Sequence, residues 1–268
     1  MRAAFSEIWL NMPIRVNFSP DAVWGFLLVL TRVGSALVFL PLPGVTSAPQ
    51  VARIVLIIGI TFCLFPLWPS VAHDDLNTGA ALLAVLSETS IGLIMGLSLA
   101  FLTETFQLGA QAISMQTGFS FASTFDPSSE ADSGVFQVLS QLTAGLLLFT
   151  LGIHEQLIRM FGRSLVAFSG GATLPRAFST ELVVRMGSNM FLSGLKLALP
   201  VVTLLFLVDL LLAVVSRLQQ QMQLLTLAFP AKILLSLIFL SGVLTRWPSI
   251  YEHLARQMFE TVFQLFKR

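Results

Sequence analysis

Three groups of polar residues in this chain have the types and spacing to do chemistry, and each lies among apolar neighbours. The first is Glu88, followed by Gly92 and Gly96. On a helix, positions i, i+4 and i+8 share a face, so an acid stands in line with two sites that carry no side chain. Small residues let a second helix approach closely, and an ionisable group in an apolar segment then faces protein rather than lipid. This carboxyl acts either as a proton relay or as a group satisfied by partner groups in an assembly. Beyond it, Glu104, Gln107, Gln111, Ser114 and Gly118 recur at spacings of three, four, three and four. They draw a polar stripe along an otherwise apolar helix, facing water or the polar groups of another helix.

The second group is the block from Gln116 to Pro127, which contains Gly118, Phe119, Ser120, Phe121, Phe125 and Asp126. Gly118 loosens the backbone and Asp126 before Pro127 disfavours helix, so the phenylalanines are expected on an irregular loop between hydrophobic helices. Rings placed this way at membrane depth either close a pore by excluding water or anchor the loop in a core. Asp126, Glu130 and Asp132 read as a solvated acidic rim. The third group spans Lys196, Asp209 and Arg217, then the Gln219 to Gln223 run, and ends at Lys232. Asp209 and Arg217 are about two turns apart, too far for an i,i+4 pair. Each is therefore expected to meet a partner on another helix, as interhelical glue or as part of a transport site.

Other chemistries lack their residues. There is no Gly-rich phosphate loop, no Gly-x-Ser-x-Gly elbow and no His/Cys metal spacing, and the His residues at 73, 154 and 253 are scattered. No catalytic residue, metal or cofactor is expected, and the chain does not read as an enzyme. The lone Cys63 excludes an internal disulfide framework and reads as a small hydrophobe in a core. A net charge of +1 offers no basic patch for nucleic acid.

The elements that must position these groups are membrane helices. Hydrophobic residues make up 55% of the 268 positions and charged residues 11%, the balance of an integral membrane protein. Apolar runs cover Val23 to Leu40, Ile54 to Trp68, Leu82 to Leu102, Val135 to Ile153, Met190 to Val215 and Leu224 to Trp247. The expected fold is all-α, with about six hydrophobic, partly broken helices. Ile54 to Trp68 is short for a bilayer, and Met190 to Val215 is interrupted by Lys196, Pro200 and Asp209. Broken or tilted helices covered by partner protein reconcile this with the cost of bare backbone in lipid.

Orientation signals are weak. Arg2 and Arg15 favour a cytoplasmic N-terminus, and Arg159, Arg163, Arg176 and Arg185 favour the cytoplasm after the fourth run. From Ile54 to Ile158 there is no Lys or Arg but there are eight acidic residues. The third run thus has no basic flank and breaks the usual alternation. No cleavable targeting segment is read, so the first hydrophobic run stays in the mature protein. We divide the single membrane domain, 1–268, into an N-terminal segment 1–22, a polar helix and loop over 103–134, and an amphipathic helix over 248–268. In that helix Tyr251, Leu254, Met258, Phe259, Val262 and Phe266 oppose Glu252, Arg256, Gln257, Glu260 and Lys267. Its expected place is the cytoplasmic membrane surface, or else a partner subunit.

Taken together, Arg32 with Pro41, Glu88-x3-Gly92-x3-Gly96, the Gln116 to Pro127 block, Leu199-Pro200, Asp209, Arg217, Gln221-Met222 and Pro230-x-Lys232 resemble the FliR family of flagellar export-gate proteins. The resemblance covers nearly the whole chain, and injectisome homologues (SctT) share the pattern more loosely. It departs from the family at Gln220, where a proline is common, and at Gln223, where an Asn is common, which makes that loop more helical here. The resemblance implies a subunit of the type III export gate in the bacterial inner membrane, within the flagellar basal body. There one such copy joins several FliP and FliQ subunits in a helical, pore-forming assembly, with FlhB and FlhA as further partners beside membrane lipid. It also implies that the Gln116 to Asp126 loop is a plug, displaced when unfolded flagellar subunits pass. Two other readings stay open: a secondary transporter with an intramembrane proton or solute site at Glu88, Asp209 and Lys196, and a purely structural membrane scaffold.

Overall fold

The computed structural model describes residues 20–39, 50–69, 77–118, 135–168, 180–218 and 224–267. Among them there is no strand. The described residues form eight α-helices: α1 (Pro20–Val38), α2 (Gln50–Cys63), α3 (Thr78–Thr117), α4 (Val135–Thr150), α5 (Ile153–Ala167), α6 (Thr180–Leu218), α7 (Leu224–Leu244) and α8 (Trp247–Lys267). A short 3-10 turn, Phe65–Leu67, follows α2.

Helix α3 is the axis, packing against α1, α4, α6, α7 and α8. Its 40 residues contain neither proline nor a basic residue, so nothing local interrupts it. At 1.5 Å per residue it is about 60 Å long, twice a bilayer core of about 30 Å. The Asn77 side chain caps its start by accepting from the Gly79 N–H at 3.4 Å. The apolar run Leu82 to Leu102 and the polar stripe after it are therefore one helix, and position 103 lies within it. The helix ends at Gly118, whose φ of 87° is left-handed and whose N–H donates to the Met115 carbonyl at 3.3 Å.

Glycine sets the distance of two neighbours from this axis. A Cβ at Gly92 would fall 2.9 Å from the Arg32 carbonyl carbon, and closer still to that carbonyl oxygen and to Ser35 Oγ. A Cβ at Gly96 would fall 3.0 Å from Ala36 Cα. Thus α1 lies backbone-close on the Glu88 face. At Gly109 the neighbour is α6, where a Cβ would fall 3.2 Å from the Gly194 carbonyl oxygen.

The elements depart from the sequence expectations in physical ways. The Val135 to Ile153 run does not continue as one helix: α4 and α5 meet at a 63° bend, with Gly152 at φ 68°. Helix α5 is half polar and so forms no continuous apolar run. Ile153, Leu157, Met160 and Phe161 are buried, whereas Glu155, Arg159 and Arg163 are exposed. Helix α6 runs for 39 residues through Pro200 without a break, contrary to the interruption expected there. The second sharp bend, 57°, instead separates α7 from α8. Among the described residues three helices, α1, α3 and α6, are long and apolar enough to cross a membrane, and the two bent pairs bring the possible spans there to five.

Helix α8 corrects a second expectation. Its apolar face does not lie on the membrane surface, because Tyr251, Ala255, Met258, Phe259 and Val262 are buried in the core of this chain. Phe106 of α3 meets Trp247 and Tyr251 at ring-centroid distances of 5.2 Å each, and Arg163 of α5 stacks over Phe263 at 5.2 Å. Cys63, expected in a core, is exposed at the end of α2. Much of α6, including Phe206, Leu207, Leu211 and Val214, is exposed and apolar, as a surface meeting lipid or neighbouring subunits must be.

Candidate functional site

Two polar nodes lie on α3, near its two ends. The first joins α1, α3 and α5. Arg32 lies fully buried in the apolar α1, where a lone charge is costly unless it is paired. The glycines at 92 and 96 bring α1 close enough for its guanidinium to grip Glu88 in a bidentate pair, with Nε on one carboxyl oxygen and Nη2 on the other at 2.8 Å. Planar fork and carboxylate match each other, which makes such a pair directional as well as strong. Two further bonds hold the guanidinium: Nη1 donates to Ser164 Oγ at 3.0 Å and Nη2 to the Phe168 carbonyl at 3.3 Å. Ser164 in turn donates to the Phe161 carbonyl at 2.8 Å. The side chains of Arg32 and Glu88 are 0% and 2% exposed, so this node is sealed within the chain. Glu88 is thus satisfied by Arg32 of its own chain, and partner groups of an assembly are not needed to hold it.

The second node joins α3, α6 and α7. Asp209 of α6 forms an ion pair with Lys232 of α7 through one carboxyl oxygen. Its other oxygen accepts from the Gln116 amide of α3 at 3.0 Å. Asp209 thereby meets partners on two other helices, whereas Arg217 is exposed near the end of α6. Lys196 is exposed as well. Gln116 stands two residues before Gly118, so the node grips α3 where the helix stops.

The polar stripe is divided by depth. Glu104 and Gln111 are exposed, Gln107 is half-buried and Ser114 is buried. Phe119, Ser120, Phe121, Phe125, Asp126 and Pro127 lie outside the described residues, as do Glu130 and Asp132. Twenty-eight residues of α3 separate Glu88 from Gln116, a rise of about 42 Å. Glu88 and Asp209 consequently belong to separate networks and do not form one intramembrane site. Among the described residues no group of three metal-ligating side chains occurs.

Sequence reasoning did not single out Ser164 or the Phe168 carbonyl, because Ser164 lies within the amphipathic α5 and Phe168 caps its end, and neither stands in a long apolar run. Arg32 and Lys232 carried a readable signal. Each is a lone base in an apolar run, and such a charge requires an acid elsewhere in the fold.

Comparison with known proteins places most of the chain in one family. The family model described as "Bacterial export proteins, family 1" matches residues 23–258. The flagellar biosynthetic protein FliR of Escherichia coli strain K12 is 27% identical over 254 residues, covering 95% of this chain and 93% of that protein. That of Bacillus subtilis strain 168 is 29% identical over 232 residues, covering 84% and 88%. That of Aquifex aeolicus strain VF5 is 26% identical over 215 residues, covering 80% and 83%.

Proposed function

Because this chain belongs to the bacterial export proteins, family 1, we propose that it is a pore-forming subunit of the flagellar type III export gate. In this role it passes unfolded flagellar subunits across the bacterial inner membrane at the basal body. FliP and FliQ are its neighbours in the gate, and FlhB and FlhA, the latter proton-driven, are further partners. The family is one of export proteins rather than of enzymes, in keeping with a passive gate powered by its partners.

The observation that carries this reading is the end of α3. The helix is stopped by a left-handed glycine, Gly118, and held there by the Gln116–Asp209 contact. The next residues in the chain are the phenylalanine-rich stretch 119–127. A firmly held exit followed by Phe119, Phe121 and Phe125 suits a plug that excludes water and ions from a conduit. In this scheme Gly118 permits displacement, and Glu104, Gln107 and Gln111 face a lumen or a neighbouring subunit. The exposed apolar surface of α6 supports an environment of subunits and lipid rather than water.

The test is deletion of residues 118–123 in cells that also make the partner subunits, read as ion leak and swimming against an intact control. Leak with impaired control of export supports a plug across a conduit. Normal impermeability with normal swimming removes the plug and leaves a structural role for those phenylalanines.

A further inference from the structure

We infer that Asp209 is the positioning residue of this gate: by holding Gln116 of α3 and Lys232 of α7 together, it sets where the chain leaves α3. The inference rests on the export-gate reading above and assigns it a latch. Asp209 lies in the run Leu204-Leu-Phe-Leu-Val-Asp-Leu-Leu-Leu212, where an unpaired carboxylate is strongly disfavoured. Its two oxygens are divided between a cation on one helix and an amide on another, so each contact orients the other. Removing the charge loosens both.

Three features give the node the character of a latch rather than of a second structural pin. Gln116 lies half a turn from Gly118, the left-handed stop of α3, so a displaced Gln116 changes the exit direction at once. Lys232 follows Pro230, which deprives α7 of one backbone hydrogen bond beside the pair. The Asp209 and Lys232 side chains are 35% and 16% exposed, whereas those of the Arg32–Glu88 pair are 0% and 2% exposed. A neighbouring subunit or a passing polypeptide can therefore reach Asp209 and compete for it. The sealed pair about 42 Å away along α3 keeps the body of the fold together meanwhile.

The experiment measures ion leak and export in cells that make the full chain and its partners, with protein level followed in parallel. Asp209→Asn, which leaves Lys232 without its counter-charge, is expected to raise leak by about fivefold or more, the lower end of ordinary coupling between sites. Gln116→Leu is expected to act the same way and leaves no uncompensated charge, so it decides the matter if Asp209→Asn fails to accumulate. Asp209→Glu is expected to stay near the parent, and the exchange Asp209→Lys with Lys232→Asp to recover much of the closure. If Gln116→Leu and Asp209→Asn accumulate and stay as tight as the parent while deletion of 118–123 leaks, the latch is wrong and the gate stands. If the deletion does not leak either, the gate reading falls and the latch with it. A leak in Asp209→Asn that neither Asp209→Glu nor the charge exchange relieves also overturns the latch, since that is how a general packing defect behaves.

Discussion

Replacing Glu88 with Gln leaves the Arg32 guanidinium buried without a counter-charge. The two side chains are 0% and 2% exposed, so water cannot take over the lost role. Removing one member of a buried pair costs roughly 3–5 kcal/mol. Arg32 keeps its bonds to Ser164 and the Phe168 carbonyl, which places the expected loss near the lower end, about 3 kcal/mol. That is about a hundredfold in the folded-to-unfolded ratio at 1.4 kcal/mol per decade. At 2–4 °C per kcal/mol, the apparent melting temperature should fall by about 6–12 °C. The double variant Arg32→Met with Glu88→Met removes both charges, and a buried pair exchanged for apolar groups is often neutral. Its residual cost is the loss of an Arg donor by Ser164 Oγ and by the Phe168 carbonyl, on the order of 1 kcal/mol each. The double should therefore melt above Glu88→Gln. Intrinsic tryptophan fluorescence of the purified protein, which has 4 Trp, follows unfolding directly. A Glu88→Gln protein that melts within about 2 °C of the parent, or a double that melts below Glu88→Gln, would refute the reasoning.

Three further outcomes follow from packing. Gly92→Ala should destabilise by about 1–3 kcal/mol, because its Cβ meets the α1 backbone. Gly59→Ala, with nothing within 4 Å of its Cβ, should be neutral or stabilising by about 0.5–1 kcal/mol; equal effects in thermal unfolding would mean that α1 does not lie close on α3. Tyr251→Ala should cost about 3–5 kcal/mol as a core truncation, and a change too small to measure would return α8 to the membrane surface. Cys63 should react with a maleimide in the natively solubilised chain, since it is exposed and is the single cysteine; labelling that requires denaturant would place it in a core.

Much of this protein is determined by local pattern. The 55% apolar composition and the runs of apolar residues are enough for an all-α membrane protein, because each span must satisfy its own backbone in lipid. The order Glu88, Gly92, Gly96 already marks a close-packed face, since helical periodicity alone aligns those positions. The resemblance to an export family lay in motifs spread over the chain, and the match over residues 23–258 bears it out. Tertiary structure decided the rest. Arg32 and Glu88 are 56 positions apart, and nothing local distinguishes Glu88 from Glu104 or Asp209 as the acid that Arg32 meets. Only the approach of α1 over Gly92 and Gly96 chooses. The destination of α8 was undecided for a related reason: its apolar face is equally content against lipid or against Phe106, because burial has no direction. Placement of that face depends on the bend between α7 and α8 and on the space left beside α3, both of which are properties of the assembled helices.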